Sequence, residues 1–163
     1  MDKPDNIHDQ SHFNYYWYDA LNFEGAKQMM FVRSLMESRP FISPQRIPDQ
    51  SILSSENGDA DDRIQCARAE DYSYIMVYTT NGRSFSIDLS RMPAKNLNAW
   101  WYNPRNGENY GNNNKAGNMP LKISNKNNVQ VFTPPTNEGE KNDWVLILDD
   151  ASKGFSAPGH FFH

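Results

Sequence analysis

The sequence predicts a mainly β chain: an antiparallel β-sandwich of about seven or eight strands preceded by one α-helix. Three observations carry this. Hydrophobic periodicity switches to two after residue 62, turn signals recur between short apolar runs, and no helical pattern follows Ser38. Residues 1–62 read as an irregular arm, a helix and a Pro-rich connector, residues 63–150 as the sandwich, and residues 151–163 as a tail.

The first 16 residues carry no period. Asn22 is placed to cap a helix from Phe23 to about Ser38, where Arg39-Pro40 stops it. On that helix Ala26, Met29, Met30, Val32, Leu35 and Met36 spread over an arc of roughly 220°, far wider than the ~100° stripe of a surface helix. Lys27, Ser34 and Ser38 hold the narrow polar side. One sandwich face would not cover so wide an arc, so the helix expects neighbours on more than one side.

Prolines at 40, 44 and 48 make the next stretch an extended connector, closed by a turn at 57–62. Arg63–Ala67 then alternates, and Tyr72–Thr80 is rich in aromatic and β-branched residues. Asn81-Gly82 is a hairpin signal, and Phe85, Ile87 and Leu89 alternate behind it toward the core. A strand over Asn98–Asn103 leads into Pro104–Gly107, which fits a type I turn. Val129–Thr133 is another strand, ended by Pro134-Pro135. Trp144–Leu148 is a continuous apolar run, typical of a strand buried on both faces or in the sandwich centre. The Asn-rich tract from Asn103 to Asn128 reads as a surface loop, because Asn side chains compete with ladder hydrogen bonds. The tail reads as loosely held, with Phe155, Phe161 and Phe162 available to pin it.

Composition excludes several functions. The charge is −4, from 16 Lys+Arg against 20 Asp+Glu, and no basic run exists, so no nucleic-acid partner is expected. No apolar run approaches the ~18 residues of a membrane helix, so no membrane partner is expected either. At 13% aromatic residues the chain can still build a core from 37% apolar residues. The polar start, Met1 to Asn6, lacks the apolar stretch of a signal peptide, which fits a cytosolic chain or a piece of something longer.

Catalytic patterns are missing. His8, His12, His160 and His163 all lie near the chain ends, where a rigid supporting shell is hard to build. Cys66 lies mid-strand with apolar alternation and reads as core. Asp59, Asp61, Asp62 and Glu70 resemble a calcium loop only faintly, since the sixth position is Ile64 and not Gly. The adjacent pairs Glu70-Asp71 and Asp149-Asp150 would point to opposite strand faces, which unsuits them as an acid/base couple. No enzyme activity, metal or cofactor is therefore expected of these residues.

The aromatic run Trp100-Trp101-Tyr102 carries the candidate binding site. In a strand, Trp101 faces opposite to Trp100 and Tyr102, so one set is core and the other is exposed or covered by another element. Trp101, Tyr102 and Arg105, held by the Pro104 turn, are the candidate binding residues: an aromatic ring takes the C–H face of a sugar, and guanidinium and amides take its hydroxyls. The plainer alternative buries both faces, with the helix covering one of them, and pairs Arg105 with Glu108 or Asp143.

Several segments occur in fixed order: Trp17-Tyr18-Asp19-Ala20-Leu21, Gly25–Met29, Glu37-Ser38-Arg39-Pro40, Arg46–Ser51, Ala67–Tyr72, Tyr78 through Phe85, Trp100–Gly107, Phe132–Pro135 and Asp143–Asp150. This order resembles the C-terminal part of the apiosidase-like glycoside hydrolases of family 140, whose terminal sandwich is labelled "putative collagen-binding domain of a collagenase". The resemblance covers residues 17–150. It implies that Phe23–Ser38 is the closing helix of a (β/α)8 barrel and that the catalytic carboxylates lie in that barrel. The chain would then be a non-catalytic module bracing the barrel, in cis or in trans, with polysaccharide contact as a second role. It would be secreted or periplasmic as part of a longer protein. The rival expectation is a free-standing carbohydrate- or collagen-binding adhesion module.

Overall fold

In the strand Asn96–Tyr102, Leu97, Ala99 and Trp101 enter one hydrophobic cluster while Trp100 and Tyr102 enter a second. The period of two thus sorts one sequence run onto two covered faces of a sheet. The computed structural model describes residues 17–111, 116–126, 128–139 and 141–160. In chain order the elements are α1 (Trp17–Ala20), α2 (Glu24–Glu37), β1 (Arg46–Pro48), β2 (Ile64–Ala69), β3 (Tyr74–Thr79), β4 (Phe85–Asp88), β5 (Asn96–Tyr102), β6 (Asn109–Tyr110), β7 (Leu121–Ser124), β8 (Val129–Phe132) and β9 (Trp144–Asp150).

Seven strands form an antiparallel sheet ordered β1-β2-β3-β9-β5-β6, with β7 also paired to β5. The remaining two, β4 and β8, form a small antiparallel sheet stacked on it. Between the two sheets lies the larger core, in which Ile75, Val77, Trp101, Leu146 and Leu148 meet Phe85, Ile87 and Phe132. Phe85 meets Trp101 edge to face at 5.8 Å. The architecture is the expected antiparallel sandwich with one long helix before it. The run Trp144–Leu148 is central, lying between β3 and β5 and buried on both faces.

Four local expectations are corrected. Asn81-Gly82 does not close a hairpin: β3 pairs with β2 and β9, and β4 pairs with β8 in the other sheet. The turn lifts the chain across the sandwich instead. Gly82 has φ +73°, and a Cβ there would come within 2.7 Å of the Asn142 carbonyl oxygen, so the tight turn is kept but its strands diverge. The Asn-rich tract is not all loop, because it contains β6 and β7. In β7 the alternation buries Ile123 alone, too thin an apolar signal to be read through so many Asn. Asn22 does not cap α2; the cap position is Phe23, which supplies no side-chain hydrogen bond. The tail is also held: Phe155 packs edge-on against Tyr74, and the buried Pro158 offers its carbonyl to Asn109 Nδ2 at 2.8 Å.

Candidate docking surface on the outer sheet face

The face of the seven-stranded sheet turned away from β4 and β8 is covered in part by α2 and by the tail. Leu35 and Phe31 of α2 pack onto Tyr74, Met76, Trp100, Tyr102, Val145 and Ile147. The Tyr102 hydroxyl donates to the Phe31 carbonyl at 2.8 Å, and burial pushes its pKa up to about 12. These contacts use only one side of the helix. On the other, Met29 is 61% exposed, Met30 63% and Met36 44%. Leu21, Phe23, Phe41 and Ile42 add further exposed apolar surface before and after α2. The wide arc read from the sequence is thus half used within the chain.

Beside α2 the sheet is open. A groove of ≈ 460 Å³ runs between the helix, at Val32 and Met36, and strand residues Met76 and Val145, with Tyr78 and Pro104 along it. Arg46 fixes the junction of helix and sheet. Its guanidinium donates to the Met36 carbonyl at 2.8 Å and to the Tyr74 hydroxyl at 2.9 Å, while Tyr74 in turn donates to the Pro40 carbonyl.

Arg39 makes the deepest connection. Its side chain is fully buried and grips Asp149 through Nε and Nη2, at 2.8 and 2.7 Å. The Phe155 ring lies over it at 4.9 Å. Burial raises the Asp149 carboxyl above its ordinary range, and the Arg39 contact pulls against that rise. In the sequence Arg39 marks only a helix stop, since nothing local reveals a partner 110 residues away.

The candidate binding residues separate. Trp101 is 7% exposed and packed between the sheets, and Tyr102 is 1% exposed beneath α2. Neither ring is presented to solvent as a platform for a sugar, because the helix and tail cover one face of β5 and the small sheet covers the other. Arg105 reaches the surface, but its side chain is occupied. Nε donates to Asn103 Oδ1 at 2.9 Å, Nη1 donates to the Lys141 carbonyl at 2.5 Å, and Asp143 lies 3.7 Å away. It also sits over the Trp144 ring at 5.4 Å. The turn that carries it begins one residue earlier than expected: Asn106 and Gly107 both donate to the Asn103 carbonyl. Cys66 is buried, and its thiol is pushed up to about 12 by that burial.

His160 is exposed, while His8, His12, His163, Phe161 and Phe162 lie outside the described residues. Among the described residues no three His, Cys, Asp or Glu side chains are grouped to hold a metal ion. Among the described residues no helix is long and apolar enough to cross a membrane.

Residues 47–149 match the model of the family described as "Putative collagen-binding domain of a collagenase". The chain belongs to this family. Among solved structures it is similar to a glycoside hydrolase at 33% identity, with a TM-score of 0.70 over 86% of this chain. It is also similar to a glycoside hydrolase family 5 structure from Bacteroides vulgatus ATCC 8482, at 32% identity and a TM-score of 0.71. In both cases the chain spans 28% of the neighbour's length. No protein of curated function matches. The chain is thus similar in fold to one part of two longer glycoside hydrolases.

Proposed function

We propose that the chain is the non-catalytic C-terminal sandwich module of a carbohydrate-active hydrolase of the apiosidase-like family 140 type, and that it braces a (β/α)8 catalytic barrel. The observation that carries this reading is the outer side of α2, where Met29, Met30 and Met36 are exposed on a helix whose opposite side is already packed. Exposed apolar surface of this extent marks an interface in soluble proteins. Methionine suits such a surface, since its flexible thioether adapts to a partner's shape. The adjoining groove at Met36, Met76 and Val145 extends the same surface onto the sheet. The Arg46 and Arg39 contacts hold the helix rigidly, so a partner seated on it is fixed relative to the sandwich.

The test is binding in trans to a family 140 barrel expressed without its own sandwich. The chain should bind it and should bind a hydrophobic dye when alone, and Met30→Glu should remove both. The chain should also turn over no plant or bacterial polysaccharide. No association with the barrel, or hydrolysis by the chain alone, overturns the reading.

A further inference from the structure

Strand β8 has one paired edge and one open edge. The paired edge meets β4, with Phe132 opposite Phe85, Val131 opposite Ser86, Gln130 opposite Ile87 and Val129 opposite Asp88. The hydrogen bonds of β4 fix which way the β8 backbone points. The Ser86 carbonyl accepts from the Ser54 amide at 2.8 Å, and the Ser86 amide donates to Ser55 Oγ at 3.2 Å. Ser86 thus turns both backbone groups away from β8, so Ser86 and Val131 are a non-hydrogen-bonded pair. Such pairs alternate along an antiparallel ladder, which makes Asp88 and Val129 the next one. Val129 and Val131 therefore direct N–H and C=O outward, and among the described residues no strand pairs with that edge. A cleft of ≈ 130 Å³, lined by Gln130, Val131, Tyr110 and Leu121 among others, separates it from the large sheet.

An open strand edge is ordinarily guarded by a charge, a proline or a bulge. Strand β8 has none of these. Residues 127–133 carry no charge and no proline, and the register with β4 runs unbroken. The Val129 and Val131 side chains are 53% and 64% exposed. A second β8 fits this edge. With a two-fold axis through Gln130, Val129 of each copy lies opposite Val131 of the other. Each of these pairs exchanges both of its backbone hydrogen bonds, while the Gln130 pair on the axis is the non-hydrogen-bonded one between them. The valine side chains then cover each other across the junction. The arrangement also closes. The far edge of β4 is occupied by Leu53 and Ser54, so a joined β4-β8-β8-β4 sheet offers no edge to a third copy.

We infer that the chain forms a symmetric dimer through antiparallel pairing of β8 with the β8 of a second copy. The junction lies on the small sheet, away from α2, so it leaves the apolar side of the helix free for a barrel.

The experiment is sedimentation equilibrium of the full chain, which should give twice the 18.8 kDa monomer mass. Met30→Glu should leave that mass unchanged, so failure of this dimer and failure of barrel docking are read separately. Val129→Lys combined with Val131→Lys places like charges opposite each other and should give a monomer that circular dichroism shows to be folded, since both side chains are exposed. Val129→Lys combined with Val131→Glu places opposite charges across the junction and should restore the dimer. Gln130→Cys should cross-link two copies on oxidation, because Cα atoms in a non-hydrogen-bonded pair lie ~4.5 Å apart, within reach of a disulfide. The buried Cys66 does not compete. A monomeric native chain, a dimer lost with Met30→Glu, a dimer that survives the double lysine change, or no cross-link through Gln130→Cys overturns the proposal.

Discussion

The Arg39 guanidinium holds the Asp149 carboxylate in a two-pronged grip, with both side chains sealed from solvent. One end of the grip leaves the C-terminal end of α2, and the other sits on the central strand β9. Removing one partner strands a buried charge, which typically costs about 3–5 kcal/mol. Asp149→Ala should therefore lower the unfolding free energy by an amount in that range, read as a lower urea midpoint. Arg39→Met combined with Asp149→Leu should recover much of the loss, because packing replaces a pair that had itself to be desolvated. Denaturation curves of the two variants check both statements.

Trp101 fills the space between the sheets beside Phe85. Trp101→Ala should cost about 3–5 kcal/mol, the usual range for emptying a buried Trp site. Arg105→Ala should cost about 1–2 kcal/mol, since its hydrogen bonds lie near the surface. Thermal unfolding measures both. If Trp101→Ala lost affinity for a glycan or a barrel while its melting temperature stayed put, Trp101 would be a contact residue and not core.

Asp49 accepts hydrogen bonds from the Ser51 hydroxyl and amide and from Arg68, and these hold its carboxyl below the usual range. A carboxyl with a depressed folded-state pKa stabilises the fold above its unfolded pKa of about 3.8. That contribution is lost as pH falls through the folded value. Asp49→Asn should lower stability by about 1 kcal/mol at pH 7 and by progressively less on acidification below pH 4. Urea titrations at several pH values test the slope.

Cys66 is buried, with its thiol pushed up to about 12. The thiolate is the reactive species, so a maleimide should label the native chain far more slowly than the urea-unfolded chain. Rapid native labelling at pH 7 would show that the space between the sheets opens readily.

The strand content was readable where alternation was strong. Ser84–Leu89 and Trp144–Leu148 announced their faces directly, and the wide apolar arc of 23–38 announced a helix, one side of which packs on the sheet. What the sequence hid was pairing. Asn81-Gly82 marks a tight turn whether its strands pair or part, and the difference is made by β8 and β9, far along the chain. The two faces of β5 were legible from Trp100-Trp101-Tyr102, but that both are covered was not, because the tail that helps cover Trp100 and Tyr102 carries no periodic signal.

The place of β9 in the sheet bears on how the chain comes off the ribosome. It is the last strand in sequence, yet it lies between β3 and β5 and joins the two halves of the large sheet. Until Trp144–Asp150 has emerged, β3 and β5 each lack a flanking neighbour and Arg39 has no carboxylate to meet. Pairings this distant along the chain form slowly, and unpaired apolar strands invite wrong partners meanwhile. Folding should therefore wait for nearly the whole module to be synthesised, and nascent chains stalled before residue 144 should remain open to protease and chaperone alike.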